Sequence, residues 1–569
     1  MPQDAITLAK TARELNDLFE GAKVNKITQP SADEIVLSLY SKSGAYKLCI
    51  CANAVGTRVG ITNVEKRNPS TPTGFCMLLR KHILSATIKN IITIRNERIV
   101  KIIFEGKNDF FEIVEKELYC EIMGKYSNVI FCENEIICGT LKTSSLELNK
   151  ERALLVGAKY SLPKSQGKYD LDDKNSIINL LSNFNSGNLC EYLFNNIQGL
   201  SIVTAKEICY RFFNKEYIES PIVKTNEFYD FILDFINNYA GQSIVVSTSN
   251  KLLDFCFCDY QSISGEKKYF QNILLAEQYF FDNKYLKKEF TEMQNRLITS
   301  VNSKIKKEEK KLQIIAEKEI ECNDAENVRR KGELITANIY KIKRGDLFVI
   351  VEDYYNDNKP LKINLDDKIS PNDNAQKLFK KYAKLKNTLK AIIPQKEQAE
   401  SEINYLKSVL AELKIAHDIA DLQNIEDELM QVGLIKSNKN IKQNKKIDKI
   451  DFRTFEYNGY TILAGKNNLQ NDKLTFSANP SDLWLHTKDY HSAHVIIKGA
   501  TSHVPNEILQ LAAEICAYYS EAKSGDKIPV DYTQKKYVKK PPKSKYGAVI
   551  YTDYKTVYVT PQAHKNLEK

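Results

Sequence analysis

The most informative stretch of the chain is residues 481–498, SDLWLHTKDYHSAHVIIK. It contains the only Trp of the chain, Trp484, and three of the seven His, and it ends in β-branched residues typical of a strand. Aromatic and imidazole rings beside lysines can stack on single-stranded or looped RNA and hydrogen-bond to it. A small α/β domain with a buried Trp and polar loop histidines would give the same pattern, so this stretch alone leaves both interpretations open.

Composition and charge narrow the class of protein. The 569 residues, 43% of them hydrophobic, are enough for three or four domains of ~100–200 residues each. The chain has 82 Lys and Arg and 72 Asp and Glu, which gives a modest net charge of +10. The placement of the basic residues is therefore more informative than the net charge itself. Two segments are strongly basic, residues 436–449 and 534–546. Tyr alternates with Lys in the second, which favours nucleic acid or ribosomal RNA over a merely solvated loop.

The twelve cysteines do not have the spacing of a metal site or a disulfide framework. The two close pairs, Cys49 with Cys51 and Cys256 with Cys258, are each separated by one residue instead of two. We therefore expect reduced thiols, no metal and no cofactor. The start of the chain lacks a basic segment followed by an apolar one, and no run of 18 apolar residues occurs. We expect a cytoplasmic protein with no membrane association.

The pattern along the chain predicts an α+β multidomain protein. Residues 1–170 are mixed, with strands predicted at 35–40, 46–51, 99–104 and 110–114 and a helix at 75–84. Residues 171–275 change to a helical pattern. Within them, residues 199–208 are typical of the turn and second helix of a helix-hairpin-helix, a turn that can present backbone N–H groups to a phosphate. A helix pair that only packs would look the same.

Residues 276–430 predict a long antiparallel coiled coil with a small tip domain inserted at about 332–371. A seven-residue spacing relates several apolar residues of the first arm, and Glu308 and Glu319 fall at the remaining core positions. The apolar positions are Val301, Ile305, Leu312, Ile315 and Cys322. Pro394 is expected to interrupt or kink the second arm. Each arm of ~45 residues would reach roughly 65 Å, a length that suits a large assembly.

The C-terminal part consists of a basic linker, residues 431–450, and a final α/β domain, residues 451–569. Strands are predicted at 460–463 and 495–497, a helix at 507–519, and a closing hairpin formed by residues 549–551 and 557–559.

Several short motifs together resemble one family. They are residues 74–82, 121–130, 331–338, 374–376, 465–475, 484–486 and 530–533, and they occur in the family's order. The chain resembles the NFACT family, the RqcH/NEMF type of ribosome quality-control factor, whose bacterial members carry the older name fibronectin-binding-like proteins. The resemblance covers nearly the whole chain. It implies a glycosylase-like β-sandwich at residues 1–170, a helix-hairpin-helix domain at 171–275, the coiled coil, and an NFACT-R RNA-binding domain at 451–569.

The resemblance also implies a function and its partners. Such a factor binds, as a monomer, a large ribosomal subunit, through rRNA and ribosomal proteins, that still holds a stalled peptidyl-tRNA. It recruits tRNA, mainly alanyl-tRNA, for mRNA-independent C-terminal alanine tailing that marks the nascent chain for degradation. Peptide-bond formation is left to the ribosome, so the chain is expected to be no enzyme and to supply positioning, the entropic part of catalysis.

The family's tRNA-binding residues map onto three places in the first domain. Glu97 and Arg98 stand where the family has Asp-Arg; the carboxylate can accept from a base amino group, and Arg can stack on a base or bind phosphate. Glu for Asp lengthens that side chain by a methylene, and an ordinary surface ion pair would show the same sequence. The other two places are Arg80, Lys81 and His82, and Glu121 with Gly124, Lys125, Tyr126, Ser127 and Asn128, where Lys-Tyr replaces the family's Arg-His.

The C-terminal domain contributes the second group of candidate RNA-binding residues. They are Asp482, Trp484, His486, Lys488, His494, Lys498, Lys535, Lys536, Lys539 and Lys540. The family's Pro-Gly-Ser-His loop is replaced here by residues 491–494, HSAH, in which His494 keeps the terminal position.

Two other functions are considered. A surface adhesin that binds fibronectin would need export, which the expected lack of a signal peptide and the abundant cysteines disfavour. A nucleic-acid glycosylase-like enzyme would use Pro2 as an N-terminal amine, but Gln3 stands where those enzymes have their catalytic Glu, and no four-Cys zinc finger follows.

Overall fold

The computed structural model describes residues 3–94, 96–107, 112–143, 152, 154–164, 167–238, 241–249, 251–435, 452–499, 504–542 and 544–569. The chain divides into two compact units, Met1–Lys287 and Lys288–Lys569. The basic segment at 436–449, Pro2 and Lys543 lie outside the described residues. No helix within the described part of the chain combines the length and the apolar character that crossing a bilayer requires.

The first unit begins with one helix and a large antiparallel sheet. Its elements are α1 (Ala5–Phe19), β1 (Lys23–Ser31), β2 (Glu34–Ser41), β3 (Gly44–Cys51), β4 (Arg58–Ile61), α2 (Gly74–Ile83), β5 (Thr87–Thr93), β6 (Ile99–Lys107), β7 (Ile113–Glu121), β8 (Asn128–Glu133) and β9 (Ile136–Thr140). The strands predicted at 35–40, 46–51 and 99–104 and the helix at 75–84 are confirmed. Of the strand predicted at 110–114, β7 includes the last two residues, and 110–111 lie outside the described residues.

The strand order is β4-β3-β2-β1-β5-β6-β7-β8-β9, so hydrogen bonds join what we predicted as a β-sandwich into one continuous sheet. Its two halves meet where Lys23 of β1 faces Thr87 of β5. Apolar residues of both halves share one core with α1, which buries Leu8, Ala12 and Leu15 at helical spacing. The likeness of this arrangement to a glycosylase stays a prediction.

The second part of this unit is helical and then becomes a small sheet. It contains α3 (Lys174–Ser182), β10 (Gly187–Asn188), α4 (Leu189–Asn196), α5 (Ile202–Phe213), β11 (Tyr217–Ile218), α6 (Thr225–Asn238), β12 (Ser243–Thr248), β13 (Lys251–Cys256) and β14 (Glu266–Phe270). The helical prediction for 171–275 is wrong for residues 243–270. There β-branched and aromatic residues form a three-stranded antiparallel sheet in the order β13-β12-β14.

A long helix, α7 (Ile273–Asn323), leaves this unit from a buried polar anchor. Asp282 of α7 accepts hydrogen bonds from the Thr62 hydroxyl (2.6 Å) and the Asn63 N–H (2.9 Å). The Arg58 guanidinium lies 3.5 Å from the same carboxylate. Because an unpaired charge at such a buried place would cost several kcal/mol, the contacts fix the start of α7 on edge strand β4.

The second unit contains two antiparallel helical arms and a tip. The remaining elements of this part are α8 (Ala325–Ala337), β15 (Phe348–Asp353), β16 (Lys359–Asn364), α9 (Pro371–Ile415) and α10 (Ile419–Gln431). Gln294 donates to the Leu413 carbonyl (2.7 Å), Glu319 pairs with Lys396 (2.9 Å), and Tyr382 donates to Glu326 (3.3 Å). As the residue number rises along one arm it falls along the other, which confirms the antiparallel arrangement.

The structure supports the predicted core of the arms and corrects one boundary and one predicted interruption. Val301, Ile305, Ile315 and Cys322 are buried, as their seven-residue spacing predicts. The tip begins after Ala337 instead of at about 332, because residues 325–337 continue as helix α8 and pack on α9. Of the interruption or kink predicted at Pro394, the interruption is wrong: α9 runs unbroken from Pro371 to Ile415. Proline removes one backbone hydrogen bond from the helix, and the packing of the buried residues on either side of Pro394 offsets that loss.

The last domain is a six-stranded sheet with helices. Its elements are β17 (Arg453–Tyr457), β18 (Tyr460–Ala464), α11 (Asn468–Ser477), β19 (Leu483–Thr487), β20 (Val495–Ile497), α12 (Asn506–Tyr518), β21 (Ile528–Gln534), β22 (Val538–Lys539), β23 (Ile550–Tyr551) and β24 (Lys555–Val559). The sheet order is β17-β18-β20-β19-β21-β24. The predicted strands at 460–463 and 495–497 and the predicted helix are confirmed. The predicted closing hairpin is wrong, because β23 pairs with β22 and β24 pairs with β21.

Two isoleucines of α7 test the core of the arms. Ile315 is 4% exposed and Ile320 is 71% exposed. We expect Ile315→Ala to lower the free energy of unfolding by about 2–4 kcal/mol, because it removes buried methyl groups and leaves a cavity. The matched control Ile320→Ala should change it by less than about 0.5 kcal/mol. Denaturant titration followed by circular dichroism measures both, and equal losses would contradict the assignment of Ile315 to the core.

Candidate RNA-binding sites

In the first unit, the Glu97-Arg98 turn and the turn before α5, residues 198–201, line one cavity of about 350 Å³. The polar residues around it include Gln3, Asp4, Glu97, Arg98, Lys168 and Gln198. Gln198, which precedes α5, donates from Nε2 to Oε1 of Glu97 at 2.9 Å. The two residues that the family resemblance singled out therefore face a cavity, and a residue of the neighbouring turn holds one of them.

Glycine is required where the two turns meet. Gly199 has a φ of +84°, and a Cβ placed on it would lie 2.8 Å from the carbonyl oxygen of Asn96. Any larger residue would therefore push the turn away from the strand end that carries Glu97 and Arg98.

Asp4 occupies the position at which an external phosphate could meet the turn before α5. Its Oδ1 accepts the N–H of Thr7 at the start of α1 (2.8 Å). Its Oδ2 accepts the hydroxyl (2.8 Å) and the N–H (3.3 Å) of Ser201 at the start of α5. A carboxylate of the chain itself thus satisfies the positive end of α5, and part of the turn's predicted phosphate-binding capacity is already used.

The Glu97 and Arg98 charges are partly withdrawn from water. Burial raises the pKa of Glu97, against the opposing effects of Arg98 and the Gln198 hydrogen bond. Burial also lowers the pKa of Arg98, with Asp4 and Glu97 acting in the other direction. Charges in such a setting interact more strongly with a bound polar group than charges in open solvent. The pair can therefore contribute to recognition of a base edge or a phosphate.

The α2 residues predicted to bind tRNA are mostly occupied within the domain. Arg80 donates from Nε to the Ile27 carbonyl (2.9 Å), and Nδ1 of His82 lies 2.8 Å from Oε1 of Glu133. Lys81 is exposed. Among the described residues that line the Glu97 cavity, none comes from α2.

The third group of predicted tRNA-binding residues, at positions 121 and 124–128, contains both buried and exposed side chains. Glu121 is 2% exposed, and Arg152 binds both of its carboxylate oxygens at 3.1 and 2.7 Å. Ser127 and Asn128 are also buried, where Ser127 accepts the Met123 N–H and Asn128 accepts the N–H of Lys142.

The polar atoms of these three side chains serve the fold, and their contact with tRNA stays a prediction. Gly124 is buried at a φ of +61°. The exposed pair is Lys125 and Tyr126, with the Lys125 Nζ 4.8 Å from the centroid of the Tyr126 ring.

In the C-terminal domain, burial overturns the stacking role predicted for Trp484. The indole is 0% exposed, lies parallel to the His486 ring at 5.6 Å, and contacts the Tyr551 ring at 4.9 Å. Asp482 is buried as well and accepts backbone N–H groups from Asn479 (2.8 Å) and Gly499 (3.0 Å). These two residues hold the sheet and its turns and present no surface to RNA.

His486 and His494 line a second cavity, of about 680 Å³, within the second unit. Burial lowers the pKa of His486 to about 4 and that of His494 well below its usual range, so both rings are neutral at pH 7. His494 is held by Thr475, whose hydroxyl lies 2.7 Å from Nδ1. Each neutral imidazole has one donor and one acceptor nitrogen.

The predicted lysines differ in exposure. Lys498, Lys536 and Lys539 are exposed, Lys488 and Lys535 are half-buried, and Lys540 forms an ion pair with Asp472. The exposed members can meet phosphates in solution, and their role in RNA binding stays a prediction.

Sequence reasoning missed the residues that α9 and the segment 544–551 contribute to the second cavity, among them Tyr405, Glu412 and Tyr546. Asn468 and Asn471 also line it, and they fall in one of the motifs that carried the resemblance, residues 465–475. That motif was the available signal.

Two family descriptions match consecutive parts of the chain. "NFACT N-terminal and middle domains" matches residues 4–448, and "NFACT protein RNA binding domain" matches residues 450–553. The chain belongs to the NFACT family. Its Glu97 cavity falls within the first match, and the sheet side of its second cavity within the second.

Similar NFACT proteins extend over the same length. The protein named Rqc2 homolog RqcH from Bacillus subtilis (strain 168) is 33% identical over 568 residues, 97% of this chain and 96% of that protein. The protein of the same name from Streptococcus suis (strain 05ZYH33) is 32% identical over 574 residues, 99% of each. The solved C-terminal part of the fibronectin/fibrinogen-binding protein from Streptococcus suis is 32% identical, with a TM-score of 0.39, and covers 49% of this chain and 99% of that chain.

The assignment of Glu121 to the fold can be tested against Glu115 of the same strand. We expect Glu121→Gln to lower the free energy of unfolding by about 3 kcal/mol, because it leaves the Arg152 guanidinium buried without its counter-charge. The Glu115 carboxylate pairs with Lys89 at a half-exposed place, so Glu115→Gln should cost less than about 1 kcal/mol. Denaturant titration of both variants checks this, and a neutral Glu121→Gln would contradict the structural role.

Proposed function

We propose that this NFACT protein is a ribosome quality-control factor. It binds large ribosomal subunits that hold a stalled peptidyl-tRNA and recruits alanyl-tRNA, so that alanine is added to the nascent chain without mRNA. The observation that carries the proposal is the cavity in which Glu97, Arg98 and the turn before α5 meet, in a chain that matches Rqc2 homologs over nearly its full length.

The cavity suits a folded RNA better than a small substrate. It combines one carboxylate and one guanidinium with the rim lysines Lys164 and Lys168. A guanidinium can bind phosphate oxygens in pairs or stack on a base, and the carboxylate can accept from an exocyclic amino group. Together these groups can distinguish the shape and sequence of a tRNA region, while the lysines contribute charge attraction.

The proposal assigns peptide-bond formation to the ribosome. The protein would hold a tRNA near the subunit and so raise its effective concentration, which is where most of the rate gain of such positioning arises. The two antiparallel arms give the second unit a long element for contact with the subunit. Gln3 lines the first cavity, and because an amide is no general acid or base, this residue disfavours the glycosylase-like alternative.

The direct test is recovery from a translation extract. The purified protein should sediment with large subunits and enrich alanyl-tRNA, and nascent chains from stalled reactions should gain C-terminal alanine. Failure to recover both tRNA and subunits at low salt would refute the proposal.

Arg98→Ala tests the tRNA site. Removal of the guanidinium should reduce tRNA recovery by at least about tenfold, because a charge-assisted contact in a partly buried place is lost. Large-subunit sedimentation should persist. Arg67→Ala, which removes an exposed arginine of the same unit, is the matched control and should leave both recoveries unchanged. Equal tRNA recovery from the two variants would contradict the assignment of Arg98.

Salt dependence tests the exposed lysines of the C-terminal domain. The logarithm of RNA affinity should fall linearly with the logarithm of salt concentration, because phosphate contacts release counterions. The double variant Lys536→Ala and Lys539→Ala should flatten this slope by roughly one to two. The control double variant Lys306→Ala and Lys307→Ala changes exposed lysines of α7 and should leave the slope unchanged. Identical slopes for all three proteins would refute a role for Lys536 and Lys539.

A further inference from the structure

The 680 Å³ cavity of the second unit has an unusual mixture of lining groups. One wall comes from α9 and the others from the C-terminal domain, and the lining includes Tyr405, Glu412, Asn468, His486, His494 and Tyr546. Its volume lies in the range of ordinary small-molecule sites and exceeds the gaps that close packing normally leaves. A built binding site therefore explains it better than a packing defect.

Two of the cations that line this cavity, Arg453 and Lys545, are paired with carboxylates. Arg453 lies 2.6 Å from the Asp421 carboxylate, and Lys545 lies 3.1 Å from Glu402. The two imidazoles, His486 and His494, are uncharged at pH 7 because burial lowers their pKa. An anionic ligand would lose its hydration on entering the cavity, and the paired cations would compensate little for that loss. A neutral planar ligand does not depend on an unpaired cation.

One buried polar group of the wall is left without a hydrogen-bond partner among the described residues. Glu428 beside it is satisfied, since it accepts from the Tyr405 hydroxyl (2.7 Å) and from the Leu469 N–H (3.1 Å). The buried Oε2 of Glu412 accepts no such bond. Burial and the Glu428 carboxylate raise the pKa of Glu412 well above its usual range, which favours the protonated form, and that form can donate as well as accept.

Tyrosine rings and amide groups complete the set. Tyr405, Tyr519 and Tyr546 give the cavity aromatic faces, and Asn468 and Asn471 add amides. Neutral imidazole, carboxylic acid and amide groups each combine a donor with an acceptor, which is the pattern that the edge of a nucleobase presents. Unstacked bases in single-stranded RNA are held by this combination of rings and edge hydrogen bonds.

We propose that this cavity binds one unstacked nucleobase of RNA, between α9 and the sheet of the C-terminal domain. The inference rests on the proposed RNA-binding function and adds a site and a ligand class to it. The flanking phosphates stay outside, where the exposed lysines of the domain can meet them.

The chain provides its own reporter for the site. Trp484 is the only Trp, and its ring contacts His486 and Tyr551, both of which line the cavity. Occupation of the cavity should therefore change the Trp emission of the full-length protein. The probes are adenosine, guanosine, cytidine and uridine, a short single-stranded oligoribonucleotide, and the same oligoribonucleotide annealed to its complement.

Ser401→Phe tests the location. Ser401 is an exposed α9 residue that lines the cavity, so a Phe can fill the space without disturbing the core. Ser303→Phe places the same side chain on an exposed position of α7 and is the matched control. We expect saturable emission changes with the single strand and at least one nucleoside, and at least about tenfold weaker binding of the duplex. Ser401→Phe should weaken single-strand binding at least about tenfold, and Ser303→Phe should bind like the unmodified protein.

Three results would overturn the inference: no emission change with any nucleoside or single strand, equal binding by the two Phe variants, or a change caused only by an unstructured peptide. Recovery of tRNA and large subunits is measured on the same preparations. If that recovery persists without a cavity response, the nucleobase site alone is refuted. If recovery also fails, the proposed function is refuted. Circular dichroism of both variants shows that they are folded.

Discussion

The carboxylate of Asp4 is buried, and a buried charge must be paired or hydrogen-bonded because its desolvation costs several kcal/mol. Asp4 meets this requirement by accepting from residues at the starts of two helices, α1 and α5. The same constraint acts elsewhere in the chain. Asp282 holds the start of α7, Glu121 binds Arg152, and Asp482 binds two turns of the last sheet. Each of these carboxylates fixes an element of the fold.

This constraint also separates structural residues from residues that can meet a partner. Polar side chains whose atoms are all engaged inside the chain cannot contact RNA without breaking those bonds. Lys125, Tyr126 and the exposed lysines of the last domain remain accessible, and Glu97 and Arg98 face a cavity. Glu412 departs from the rule, since one of its buried oxygens has no hydrogen-bond partner among the described residues. Unsatisfied buried polar groups of this kind are expected at functional sites, where a ligand can supply the missing hydrogen bond.

Much of the secondary structure could be predicted because it depends on local patterns. The β-branched and aromatic content of β2 and β3 and the seven-residue spacing in α7 are properties of neighbouring residues, and the structure confirms the two strands and the buried positions of the helix. The failures have a common origin. Residues 243–270 follow helices in the chain, and the helical prediction is wrong there because their β-branched residues favour strands. The pairing of β23 with β22 instead of β24 joins segments that no local rule relates.

The candidate sites show the same division more sharply. The order of motifs along the chain was enough to indicate the NFACT family and to single out Glu97 and Arg98. The sequence by itself thus determined the family, the strands and the long helical arms, because these depend on residue types at fixed spacing. Only the tertiary structure decided that Trp484 is buried, that Glu121 serves the fold, and that α9 forms a wall of a cavity. Burial depends on contacts between residues far apart in the chain, and these contacts cannot be predicted from any short stretch of sequence.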